Sequence, residues 1–115
     1  MSQRTARPRS LFRLSKKKFE TMVEEATVDC YNPSEQAVGW YTMIEDHLKV
    51  PFETQLLGVP VTVERVDMNR NEDIVALCRR GKHRQTVPIL DLPLPSPPPA
   101  GAEWIEAYRR WIGGR

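Results

Sequence analysis

Residues suited to covalent or metal chemistry are scarce in this 115-residue chain. It has two cysteines, Cys30 and Cys78, and two histidines, His47 and His83. Neither cysteine belongs to a set of ligands at zinc spacing, so a structural zinc site is not expected. Neither histidine has a nucleophile at a readable spacing. A phosphate-cradling glycine loop and the HExxH pattern are both absent. No acid–base pair is legible, so an enzyme is not expected. No apolar run approaches the roughly 20 residues that a membrane-spanning helix needs. The first residues are basic but lack a following apolar stretch, so they do not read as a secretory signal. Two well-separated thiols in such a chain point to reduced cysteines and a cytoplasmic location.

Charge of one sign is also missing from two stretches. Residues 1–18 hold Arg4, Arg7, Arg9, Arg13, Lys16, Lys17 and Lys18 and no acid. Residues 19–48 hold Glu20, Glu24, Glu25, Asp29, Glu35, Glu45 and Asp46 and no Lys or Arg. The net charge of +2 therefore hides a basic arm in front of an acidic body.

What is present reads as one α+β domain over residues 15–115, behind a flexible basic arm over residues 1–14. The clearest element is a helix over 33–49. Asn32 suits its N-cap, Pro33 its first position and Glu35 its third, where a carboxylate can reach back to the cap. Ala37, Trp40, Tyr41, Ile44 and Leu48 recur at spacings of three and four and make one apolar stripe. Pro51 forbids continuation. A shorter helix over 16–27 precedes it, capped by Ser15, with Phe19, Met22, Val23 and Ala26 as its buried side.

After the long helix the period changes to two. Val59, Val61 and Val63 alternate with Pro60, Thr62 and Glu64. Phe52–Leu57, Ile74–Arg79 and Gln85–Leu90 supply three more strands, the last two joined by a tight turn at Arg80-Gly81-Lys82. Four short strands within 52–90 suggest a small SH3-like antiparallel β-barrel or a strongly bent sheet. Pro60 and Pro88 belong where no ladder donor is needed. A Pro-rich strap over 91–101 then carries the chain across the surface. A last helix over 102–112 presents Trp104, Tyr108 and Trp111 with Ile105 and Ile112, a stripe suited to docking on the body.

Three groups of polar residues invite a function. Asp67, Asn69, Asn71 and Asp73 offer oxygens at alternate positions, as a calcium loop does. However, Glu72 stands where such a loop needs glycine and Cys78 where it needs glutamate, so the EF-hand pattern fails. Glu45 and Asp46 lie in the last turns of the long helix, where the helix dipole favours a cation. Oxygens from the strand that contains Glu53 can complete a site there, with water for the remainder. Glu35 and Glu45 are about 15 Å apart along the axis and cannot share one ion. The third group, residues 79–84, is the one basic cluster of the body. With the arm it offers an alternative function, a binding module for nucleic acid or a protein partner.

The sequence also resembles a known family. Asp29-x-Tyr31-x-x-x-Glu35-x-x-x-Gly39-Trp40-Tyr41, followed by Ile44-Glu45-x-x-Leu48-x-x-Pro51-Phe52, is similar to the cyanobacterial calcium-binding (CcbP-like) proteins. The Val59-Pro60-Val61-Thr62-Val63 stretch and the Ile89-Leu90-Asp91-Leu92-Pro93 exit resemble them too, so the likeness spans roughly residues 24–94. It implies a non-enzymatic calcium binder without EF-hands, a weak buffer or sensor that uses surface carboxylates. It adds Asp29 and Glu35 to Glu45, Asp46 and Glu53 as expected calcium ligands.

Overall fold

The computed structural model describes residues 13–114. Of the expected arm, residues 1–12 lie outside that range. Leu14 packs against the core, and its carbonyl accepts a hydrogen bond from Arg110 Nη1 at 3.1 Å. Helix α1 spans Lys16–Thr27, and Ser15 Oγ caps it by accepting from the Lys18 N–H at 3.0 Å. Helix α2 spans Pro33–His47, and Asn32 Oδ1 accepts from the Glu35 N–H at 2.8 Å.

Helix α2 ends two residues before the expected 49. Leu48 takes an extended conformation, and its N–H closes the last turn on the Ile44 carbonyl. The cause is a segment distant in sequence. The Lys49 N–H donates to the Ala100 carbonyl at 2.9 Å, so the Pro-rich strap meets the chain where the helix stops. Leu48 is buried in the core by this departure.

Strands β1 (Phe52–Leu56), β2 (Val59–Met68), β3 (Ile74–Arg80) and β4 (His83–Pro88) follow. They pair antiparallel in the order β1-β2-β3-β4. The sheet is open, with β1 and β4 as its edges, so of the two expected forms it is a sheet and not a closed SH3-like barrel. Pro60 pairs with Gln55 of β1, while pairing with β3 starts only at Thr62, so no ladder donor is missed there. Pro88 is the last residue of β4. A shift of register between Val63 and Arg65 leaves Glu64 on a bulge. Residues 89–90, expected as strand, enter a 3-10 turn over Ile89–Asp91.

Helix α3 spans Glu103–Gly113 and buries Trp104, Ile105 and Ala107. The core brings together Met22 and Ala26 of α1, Trp40 and Ile44 of α2, alternate residues of β2 and β3, and this face of α3. Thr54 is buried although polar, and its Oγ1 donates to the Pro93 carbonyl at 2.7 Å. That bond fixes the strap against edge strand β1 and satisfies the hydroxyl that burial would otherwise leave unpaired.

Close approach of the first two helices depends on Gly39. A Cβ at that position would lie 2.0 Å from the Ala26 carbonyl oxygen. By helix propensity alone Gly39→Ala would stabilise α2 by about 0.5–1 kcal/mol. Here the clash with backbone reverses the sign, and a loss of about 1–3 kcal/mol is expected from overpacking. A denaturation midpoint equal to or above that of the parent would show that the two helices separate freely.

Candidate functional site

The acidic residues fall into three neighbourhoods. The first surrounds the start of α2. Asp29 is exposed in the turn after α1, with left-handed backbone (φ 58°). Glu35 is occupied by the fold: its Oε1 accepts the Tyr31 N–H at 2.6 Å, while its own N–H is held by Asn32. The expected reciprocal cap therefore forms, with the carboxylate reaching one residue beyond the N-cap. Ser34 Oγ donates to Glu72 Oε2, which brings the β2–β3 turn beside the same helix start. Within that turn Asn69 Oδ1 accepts the N–H groups of Asn71 and Asp73 at 2.9 and 3.0 Å. An oxygen spent on two backbone donors is a turn-former, as the failed EF-hand pattern implied.

The second neighbourhood lies along the rest of α2. The Tyr41 hydroxyl donates to Glu45 Oε2 at 3.2 Å. Its pKa is raised from the ordinary 10.0, first by burial, then by the hydrogen bond to Glu45 and the negative charges of Glu45 and Asp67; Arg65 opposes them. Tyr41 therefore stays a neutral donor at physiological pH, within the fields of two carboxylates from different elements. Asp46 is exposed in the last turn, one residue before the helix ends at His47. His47 is exposed, with Nδ1 2.8 Å from the Met43 carbonyl and its ring 5.0 Å from that of Trp104.

The third neighbourhood is the sheet surface. Glu53 stands opposite Thr62 in the β1–β2 pair. It borders a depression formed with Pro60, Thr62, Arg79 and Arg80. Glu64, on the bulge, accepts from Arg79 Nε at 2.6 Å and lies 3.5 Å from Arg84 Nε. The Arg79 hydrogen bond, reinforced by the charges of Arg79, Arg84 and Arg65, holds the Glu64 carboxyl below its ordinary 4.5. What this pairing adds to stability is present above that value and is lost as pH falls through the lowered one. Cys78 is fully buried, and burial pushes its thiol pKa up, which makes it an inert core residue.

The five expected ligands are thus spread over the surface. Asp29 and Glu35 share the start of α2, Glu45 and Asp46 share its end, and Glu53 sits beside arginines on the sheet. Among the described residues, no group of three or more His, Cys, Asp or Glu side chains is gathered to hold a metal ion. The donors are hard carboxylate oxygens, which suit calcium. Their spacing suits open sites of one or two carboxylates with water, not a closed cage. Asp67 and Glu72 were not among the expected ligands. The alternate oxygens of 67–73 were a signal for that segment, but the Ser34–Glu72 hydrogen bond and the charge of Asp67 acting on Tyr41 join residues far apart in sequence, which no local pattern displays.

The model of the CcbP family, described as "Calcium binding", matches residues 20–112. Two solved structures are similar to this chain. The crystal structure of Anabaena CcbP is 20% identical, covering 85% of this chain and 91% of that one, with a TM-score of 0.67. A calcium binding protein in its calcium-binding form is 21% identical over the same shares, with a TM-score of 0.65. At these identities the likeness is one of fold. No curated protein matches the chain.

Proposed function

The chain belongs to the CcbP family of calcium-binding proteins, and from that premise we propose that it is a non-enzymatic, cytoplasmic calcium binder of low affinity, a buffer or sensor. The observation that carries the reading is the hydrogen bond of the Tyr41 hydroxyl to Glu45 in the second half of α2, with the charge of Asp67 on β2 acting on the same tyrosine and that of Arg65 opposing it. Negative charge from two elements meets there, and the negative end of the helix dipole adds to it. Asp46 extends the same surface by one residue. In this reading Glu45 and Asp46 hold the ion, Asp67 adds negative field from β2, and water supplies the rest of its six to eight oxygens.

Asp29 and Glu35 form a secondary site. The dipole at the helix start opposes a cation, and the Glu35 carboxylate is already engaged with the Tyr31 N–H. Glu53 ranks last, because Arg79 and Arg80 border the same depression. Sites so open belong to the weak class, with Kd about 10⁻⁴–10⁻³ M. No helix among the described residues is long and apolar enough to cross a membrane, so α2 has no competing role as a spanning segment.

Titration calorimetry of the parent and of Glu45→Gln/Asp46→Asn tests this. Both substitutions keep volume and remove charge at exposed positions, so folding should persist. At least a tenfold loss of calcium affinity in the double variant is the expected result. Equal affinities in the two proteins would remove this end of α2 from the site.

A further inference from the structure

The β3–β4 hairpin carries a charge conflict that calcium binding does not use. Arg79 stands directly opposite Arg84. Like charges facing one another across a strand pair are destabilising. Lys82 occupies the turn between them, beside Gly81, which supplies the left-handed residue (φ +59°). One carboxylate, Glu64, offsets the Arg79–Arg84 pair. Arg80 and Lys82 are exposed and make no ion pair among the described residues. Protection of a sheet edge accounts for charge on β4 alone. It does not account for Arg79 and Arg80, because β3 is an interior strand between β2 and β4.

We propose that the tip of this hairpin, through Arg80, Lys82 and Arg84, grips the phosphate backbone of double-stranded nucleic acid without reading its sequence. The guanidinium fork matches phosphate geometry, and an ammonium adds a point charge. Residues 79–84 contain no Phe, Tyr or Trp. That absence argues against a single strand, whose bases would need stacking partners, and leaves the duplex backbone as the fitting polyanion. Asp67, on the proposed calcium surface, pairs with Val75, five residues along β3 from Arg80. At about 3.3 Å per residue the two are roughly 17 Å apart, about two Debye lengths at physiological salt. The two charged regions therefore act independently, and duplex binding should persist in a calcium chelator.

The test is fluorescence anisotropy of a labelled 20-base-pair duplex with the full chain in chelator, at salt from 50 to 200 mM. Non-specific binding in the range of about 10⁻⁶–10⁻⁴ M is expected. In Arg80→Gln/Lys82→Gln/Arg84→Gln the slope of log K against log salt should flatten by about 2.7, or 0.9 for each phosphate that is no longer neutralised. Arg79 is left in place because it holds Glu64. Lys16→Gln/Lys17→Gln/Lys18→Gln changes the net charge equally on α1 and should flatten the slope by less than about 1, since none of these lysines grips a phosphate. Shift mapping on the parent, which needs no variant, should place duplex-induced changes in residues 79–84. Equal effects of the two triple variants would reduce the binding to net charge and overturn the proposal. So would shifts that avoid the hairpin, tighter binding to a single strand or an acidic peptide, or no duplex binding at 50 mM salt.

Discussion

Trp40→Ala lowers the unfolding free energy by about 3–5 kcal/mol, near the upper end for a core truncation. Trp40 is 0% exposed and joins the two halves of the helical layer. Its ring centroid lies 6.2 Å from that of Trp104, 5.6 Å from Tyr108 and 5.4 Å from Trp111, all on α3. Removing it opens a cavity that the sheet on one side and α3 on the other cannot both close. The indole Nε1 is buried without a hydrogen-bond partner among the described residues, so the ring is held by packing alone. Trp40→Phe keeps most of the apolar volume and discards that unpaired donor, so it should lose much less. Equal losses for Phe and Ala would mean that the indole nitrogen has a partner. An unchanged midpoint for Trp40→Ala would mean that α3 does not dock on α2.

Gly101→Ala is the second large effect, a loss of about 3 kcal/mol or more. Gly101 has φ +88°, a region that costs an L-residue roughly 1–2 kcal/mol. Its Cβ would fall 1.9 Å from the His47 carbonyl oxygen and 2.7 Å from the Leu48 nitrogen. Both are backbone atoms and cannot swing aside. The strap must lift, which breaks the Lys49–Ala100 hydrogen bond, worth about 1 kcal/mol, and disturbs the entry to α3. Gly58→Ala is the control. It has φ +80° but open space around the added methyl, so it should cost only the backbone term. Chemical denaturation of the two variants separates strain from collision, and equal losses would show that the strap yields without cost.

The legible parts of this fold are those whose causes are local. Asn32, Pro33 and Glu35 mark the start of α2 because a cap is a contact across three residues. The end of α2 falls two residues short of the expected one because its cause, Ala100 and Gly101, lies some fifty positions further on. The Val59–Val63 alternation locates β2, but the bulge at Glu64 breaks the alternation, and the strand runs on to Met68 without a pattern to mark it. Whether four strands close or stay open depends on β1 meeting β4, and no residue in either one decides that. The candidate calcium surface divides in the same way. Asp29, Glu35, Glu45 and Asp46 belong to one helix and its approach, and the first three carry the family likeness. Glu72 reaches that helix through its hydrogen bond with Ser34, and Asp67 acts on it through its charge at Tyr41, after the sheet has folded.

The central claim, calcium held at the surface of α2, is tested most directly by backbone chemical-shift mapping of the full chain during a calcium titration. The account predicts shifts concentrated in residues 41–47 and at Asp67, saturating at about 10⁻⁴–10⁻³ M, with smaller ones at residues 29–35. No calcium-dependent shift in residues 29–53 or at Asp67, at several times the upper concentration, would contradict it.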